Sequence, residues 1–180
     1  MFDFDISDVG IILPSHPRQQ IFMEQAMLSY KNWSGGPIIF IYDDIDTKML
    51  PTDLWSPPVS KFICTNYEPG TLGHVKGELY TMMLGGRELE KSNVRYIYKT
   101  AADTTCYRHY KFVPLIKELK ATKVNFIRAG TAAIFGRVED FNKVLENVEE
   151  DIKEYAGIAE SYWGVNERKN NFTHLLRHRF

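Results

Sequence analysis

Val9-Gly10-Ile11-Ile12-Leu13, stopped by Pro14, and Ile38-Ile39-Phe40-Ile41-Tyr42, which runs straight into Asp43-Asp44-Ile45-Asp46, are the stretches that decide the fold. An unbroken apolar run without polar alternation suits a strand covered on both faces, as in a parallel sheet. Between them Phe22, Ala26, Tyr30 and Trp33 recur at helical spacing. Pro17 suits a first helical turn, Ser15 or His16 a cap, and Gly35-Gly36 a stop.

The same alternation continues outward. Leu50 to Pro58, with its three prolines, reads as irregular loop, and Lys61 to Cys64 as a third strand. Leu79, Met82, Met83 and Leu89 form a helical stripe of core residues, followed by a strand from Val94 to Tyr98. Phe112, Leu115, Ile116 and Leu119 predict a helix, Val124 to Ile127 and Ala132 to Phe135 two strands, and Val138, Phe141, Leu145 and Val148 a further helix. Strands alternating with helices of this length imply a three-layer α/β/α sandwich around a mostly parallel central sheet.

A chain of 180 residues is a single domain, long enough to bury about 70% of the surface of its unfolded form. Hydrophobic residues at 44% and charged residues at 25% exclude a disordered chain. Lys+Arg 22 against Asp+Glu 23 removes the basic field of a non-specific nucleic-acid binder, so no nucleic-acid partner is expected. Cys64 and Cys106 make neither a disulfide framework nor a thiolate zinc site. Met1 to Asp8 carries three acids and no base, the wrong sign for a secretory signal, and Val9 to Leu13 is too short to span a bilayer. A cytoplasmic chain without a transmembrane segment is expected.

Open parallel sheets bind ligands beyond the carboxyl ends of their strands. The residues just past each apolar run are therefore the candidates: Pro14-Ser15-His16 with Arg18, Asp43-Asp44, Asn66 to His74, and Ala101-Ala102-Asp103. Buried carboxylates there need a cation or hydrogen-bond donors.

The run from Ile11 to Asp46, "IILPSHPRQQIFMEQAMLSYKNWSGGPIIFIYDDID", resembles the opening of nucleotide-sugar glycosyltransferases of the GT-A fold. In that family an apolar strand leads to a polar turn with an arginine, then a helix, then a strand ending in paired aspartates that read base and ribose. The resemblance continues through "GHVKGELYTMMLGGRELEKSNVRYIYKTAADTT", where the family places a long helix and an Asp-x-Asp motif holding a divalent cation on the diphosphate. "GTAAIFGRVEDFNKVLE" and the later "AESYW" are similar to the acceptor-side strand and catalytic acid, so coverage runs over roughly residues 9 to 163. The chain departs from the pattern at Ala101, where the first aspartate of the motif is missing, and its tail after Trp163 is short for a large acceptor site.

The resemblance implies a nucleotide-binding half over about 9–103 and an acceptor-side half over about 104–180. Asp43 and Asp44 would accept hydrogen bonds from the nucleoside, or else form a turn. Asp103 would hold Mn²⁺ or Mg²⁺, for which carboxylate and diphosphate oxygens suit a hard cation, or else cap a helix. His174 or His178 is a candidate further metal ligand, or a solvated tail residue. Arg18, His74 and Lys76 would face the diphosphate beside the Gly70-Thr71-Leu72-Gly73 turn, with Lys76 equally readable as a solvated helix residue. Glu160 is the candidate general base toward an acceptor hydroxyl, with Trp163 stacking on a sugar; it also reads as a surface glutamate after the acidic run Glu149 to Glu154. The tail Arg168 to Arg179 would fold over the diphosphate or end a basic helix. Cys106 with His109 has no orienting group and is set aside.

The expected activity is transfer of a sugar from a nucleotide-diphosphate sugar to a glycan or other hydroxyl acceptor, metal-dependent and inverting. A non-catalytic nucleotide- or glycan-binding domain of the same fold, or a nucleotidyltransferase, is the alternative.

Overall fold

Strand β1 (Val9–Ser15) lies between β2 (Ile38–Tyr42) and β4 (Tyr96–Thr100), parallel to both. Ile11 and Ile12 face Ile38 and Ile39 on one side and Tyr98 and Lys99 on the other. The computed structural model describes residues 5–15, 28–30, 32–42, 59–65, 73–100 and 112–177. Within them the strands form one seven-stranded sheet in the order β3-β2-β1-β4-β6-β5-β7. Strand β3 (Val59–Cys64) is parallel to β2, β6 (Ala133–Arg137) antiparallel to β4 and to β5 (Phe126–Ala129), and β7 (His174–Leu176) parallel to β5.

Side chains alternate along a strand, so each apolar run serves two layers. Ile11, Leu13, Ile38, Phe40, Tyr96, Tyr98 and Phe135 meet Phe112, Leu115, Ile116 and Leu119 of helix α2 (Phe112–Thr122), together with Tyr30 and Trp33. On the other face Ile12, Ile39, Ile41, Ile97, Phe126 and Ile134 meet Leu79, Met82, Met83 and Leu89 of helix α1 (Gly73–Glu90). Helices α3 (Val138–Val144), α4 (Val148–Asp151) and α5 (Ala159–Lys169) complete that layer. The expected three-layer sandwich is therefore the observed one. Antiparallel β6 is what makes the sheet mixed.

Helix α1 carries the chain from edge strand β3 back to β4, on the far side of β1. It packs on β1 and β2 through a glycine: a Cβ on Gly85 would come within 2.0 Å of Ile12 Cγ2 and 2.8 Å of Ile41 Cδ1. Lys61 of β3 pairs with Glu88 of α1 at 2.6 Å, with Lys91 on the same carboxylate at 3.1 Å. The Lys61 hydrogen bond holds the Glu88 carboxyl below its ordinary range. This contribution is present above the ordinary carboxylate range and fades as pH falls through the lowered value.

Several element ends differ from the sequence expectation, each for a reason of burial. Strand β4 runs to Thr100 and β5 to Ala129, because Lys99, Thr100 and Arg128 are buried and continue their strands past the apolar runs. The first residues of the tail, Arg168 and Lys169, form the basic last turn of α5. After α5 the chain turns and pairs as β7, with Phe126 N–H donating to the Thr173 carbonyl and Thr173 N–H to Asn125 Oδ1. Trp163 does not stack on a ligand: it is 0% exposed, packed edge-on against Phe126 and tilted against Phe141.

Gly85→Ala is expected to cost about 1–3 kcal/mol by overpacking the α1–sheet contact, read as a lower urea midpoint. Gly164→Ala, where a Cβ meets nothing nearer than Arg168 Nη1 at 3.7 Å, should instead stabilise by about 0.5–1 kcal/mol through helix propensity, read as a higher midpoint.

Candidate functional site

The first strand is followed in the sheet by β2 on one side and β4 on the other, so the crossover changes direction between β1 and β4. Such a switch point opens a crevice beyond the carboxyl ends of the strands. Strands β1 and β4 end there in hydroxyl residues, Ser15 and Thr100. Ser15 follows Leu13, and Thr100 follows Tyr98, on the sheet face covered by α2. Ser15 is 4% and Thr100 0% exposed, and neither side-chain oxygen has a hydrogen-bond partner among the described residues. A buried hydroxyl left unpaired costs roughly 1–3 kcal/mol. Two of them, without partners among the described residues, stand at one rim. Pro14, half-buried, pairs only with β2 there, beyond the last β1 residue opposite β4.

Antiparallel β6 brings a second group to the same rim. Thr100 and Ala129 both lie opposite Ala133, so the turn at Gly130, Thr131 and Ala132 sits beside the carboxyl end of β4. Gly130 has φ +58, the left-handed conformation that a glycine adopts without strain. Thr131 is buried, and its hydroxyl donates to Glu160 Oε1 at 3.1 Å. Glu160 stands in the first turn of α5, where the helix dipole favours a carboxylate. On the α1 side of the sheet Lys99, 2% exposed, pairs with Glu78 Oε1 at 2.9 Å and donates to the Thr131 carbonyl. Lys76, in the first turns of α1, donates to the Lys153 carbonyl at 3.3 Å and so ties that helix to the connection before α5. Near this connection Tyr162 donates to Asp151 at 2.7 Å. Burial pushes the phenol far above its ordinary range, and the Asp151 carboxylate adds to the shift.

Of the residues singled out from sequence, Ser15, Pro14, Lys76 and Glu160 are brought to the carboxyl side of the sheet. His16, Arg18, Asp43, Asp44, Asp103 and His178 lie outside the described residues, as does the His74 side chain, whose backbone opens α1. His174 sits elsewhere. It pairs with Phe126, the first residue of β5, at the end of that strand away from Gly130. Its Nδ1 lies 2.9 Å from Glu167 Oε2 and its Nε2 3.3 Å from the Arg128 guanidinium, so both ring nitrogens face protein groups. Among the described residues no group of three or more His, Cys, Asp or Glu gathers as a metal site. Sequence reasoning missed Glu78, Lys99, Thr100 and Thr131. The available signal was a lysine and a threonine closing the apolar run Tyr96-Ile97-Tyr98.

No family model and no curated protein sequence matches the chain. Solved structures do. One is a candidate nucleotide-diphospho-sugar transferase from Desulfovibrio desulfuricans G20, with TM-score 0.63 and 12% identity over 95% of this chain and 80% of that one. The fold is that of the nucleotide-diphospho-sugar transferases. A second likeness is to CMP:2-keto-3-deoxy-manno-octonic acid synthetase complexed with CTP, with TM-score 0.56 and 9% identity over 94% of this chain and 88% of that one. Within this transferase fold the described residues contain no helix long and apolar enough to cross a membrane.

Thr100→Val replaces a buried hydroxyl that has no partner among the described residues by a methyl of the same shape. It is expected to stabilise the ligand-free protein by about 1 kcal/mol, seen as a higher thermal midpoint. A lower midpoint would show that the hydroxyl is satisfied within the fold.

Proposed function

We propose that the chain is a glycosyltransferase that moves a sugar from a nucleotide-diphosphate sugar to a hydroxyl of a glycan or other acceptor. The observation that carries this reading is the meeting of two kinds of group at one rim. Buried hydroxyls without a partner among the described residues stand at the switch point, and a helix-start carboxylate, Glu160, stands beside the end of β4. The first suits a polar ligand seated across β1 and β4; the second suits a base on the acceptor side.

In this reading the nucleoside lies over the carboxyl ends of β1 and β2, with Asp43 and Asp44 accepting from base and ribose, and Pro14, Ser15, His16 and Arg18 contributing to its binding. His74 and Lys76 stand at the start of α1, whose amino end favours phosphate. Asp103 follows Thr100 by three residues in the chain, and an oxygen donor there fits a hard divalent cation such as Mn²⁺ or Mg²⁺. That cation would supply positive charge to the diphosphate.

Glu160 takes the proton of the acceptor hydroxyl as its oxygen attacks the anomeric carbon. The bond from that carbon to the diphosphate oxygen breaks, and the electron pair leaves with the nucleoside diphosphate. Direct displacement of this kind inverts the anomeric centre. Nucleotidyl transfer is the second reading, supported by the likeness to the CTP-bound synthetase. It would call for a glycine-rich phosphate loop after the first strand, where this chain has Pro14-Ser15-His16.

A panel of sugar nucleotides, and of nucleoside triphosphates with free sugar phosphates, assayed with Mn²⁺ separates these readings by product. Glycosyl transfer or slow hydrolysis releases nucleoside diphosphate, whereas nucleotidyl transfer releases pyrophosphate from a nucleoside triphosphate. Asp103→Ala is expected to abolish metal-dependent release, and Glu160→Gln to lower transfer by about 10²–10⁴-fold with donor binding retained. Full activity in either variant removes the corresponding role. Calorimetric titration with UDP and GDP tests the nucleoside contact: Asp44→Ala should weaken binding about ten-fold or more, and equal affinity would exclude it.

A further inference from the structure

Lys99 is the least expected residue in the sheet. It shares the α1-side face of β4 with Ile97, which is 0% exposed, and is itself among the most buried side chains of the protein. Taking an ammonium out of water is costly, and a buried ion pair is often no more stabilising than apolar residues filling the same space. The pair with Glu78 offsets the charge, and an apolar side chain would avoid the cost altogether. What an ammonium does here that a methionine cannot is hold the carbonyl of Thr131.

The contacts run on from there. Glu78 reaches from α1 to Lys99, Lys99 holds the main chain of the β5–β6 turn, and the Thr131 hydroxyl in that turn holds Glu160 at the start of α5. Gly130 lets the turn lie close against the carboxylate, since a Cβ there would stand 3.3 Å from Glu160 Oε1. We infer that Lys99 and Thr131 are positioning residues that fix the Glu160 carboxylate at the acceptor side of the site. The inference rests on the reading of Glu160 as the base. A helix-start glutamate with 3 rotatable side-chain bonds would otherwise sample many orientations in solvent, and a misplaced base loses much of its effect.

The experiment uses the full chain and the sugar nucleotide found to turn over. Thr131→Val keeps the shape and the carbonyl but removes the hydroxyl; Thr131→Ser keeps the hydroxyl. Thr131→Val should lower kcat about ten-fold or more with the donor KM unchanged, and Thr131→Ser should stay within about two-fold of the parent. In a Glu160→Gln background Thr131→Val should add no further loss, because both changes remove one function. Undiminished loss in that background, or failure of serine to restore turnover, overturns the inference. If Glu160→Gln alone costs nothing, the base reading fails, and the strut is judged by a measurement that needs no turnover. Lys99→Met should drop the NMR order parameters of the Gly130 and Thr131 amides from about 0.85 to below about 0.6. Unchanged values overturn the strut. Should Lys99→Met not fold, Glu78→Gln serves the same measurement with the same two outcomes.

Discussion

A strand hydrogen-bonded along both edges and covered on both faces has no side left for water, and β1 is in that position. Its backbone polar groups meet β2, β4 or the residues that lead into β2, as Val9 O does with Gly36 N–H and Ile11 N–H with Pro37 O, and every side chain must be apolar or specially placed. The parallel pairing on both sides forces the chain to leave one edge, cross over through α1 and return on the other. The switch point between β1 and β4 follows from that crossing. So does the location of a site, because the last residues of both strands are the first that need not be apolar.

The sandwich is therefore tolerant in its layers and intolerant at its rim. Ile12, Ile41 and Gly85 exchange one apolar contact for another, and the loss on changing them is a matter of volume. Ser15, Thr100, Lys99 and Thr131 are buried polar groups whose cost is recovered only by particular partners. Two of them have such partners within the fold. Ser15 and Thr100 do not among the described residues, and their position at the switch point sets them apart from the satisfied hydroxyl of Thr81, which donates to the Glu78 carbonyl within α1. Antiparallel β6 is the second determinant of the rim. By running against its neighbours it brings the turn at Gly130 and Thr131 to the same end of the sheet as Thr100, and Glu160 with it.

Much of the layering was legible in the residues alone. The apolar runs at Val9, Ile38 and Tyr96, and the helical stripes at Leu79 and Phe112, carry the strand and helix periods directly. Strand ends were less legible. Lys99 and Thr100 read as a terminus because polar residues usually are one, and only their burial beneath α1 and α2 makes them strand. The short β7 has too few residues to show a period, and its partner lies far back in the chain at Phe126. Trp163 offered an aromatic ring beside an acid, a pattern equally suited to a sugar platform and to a core. Its packing against Phe126 and Phe141 decided for the core.

What the sequence by itself determined is the set of layers and the polar residues that follow the apolar runs, since both follow from local period and composition. Which of those polar residues meet was decided by the tertiary structure. Glu78 and Lys99 are 21 residues apart, Lys99 and Thr131 32, and Thr131 and Glu160 29. Contacts over such separations depend on strand order, direction and register, and side-chain period says nothing about whether a strand such as β6 runs with or against its neighbour.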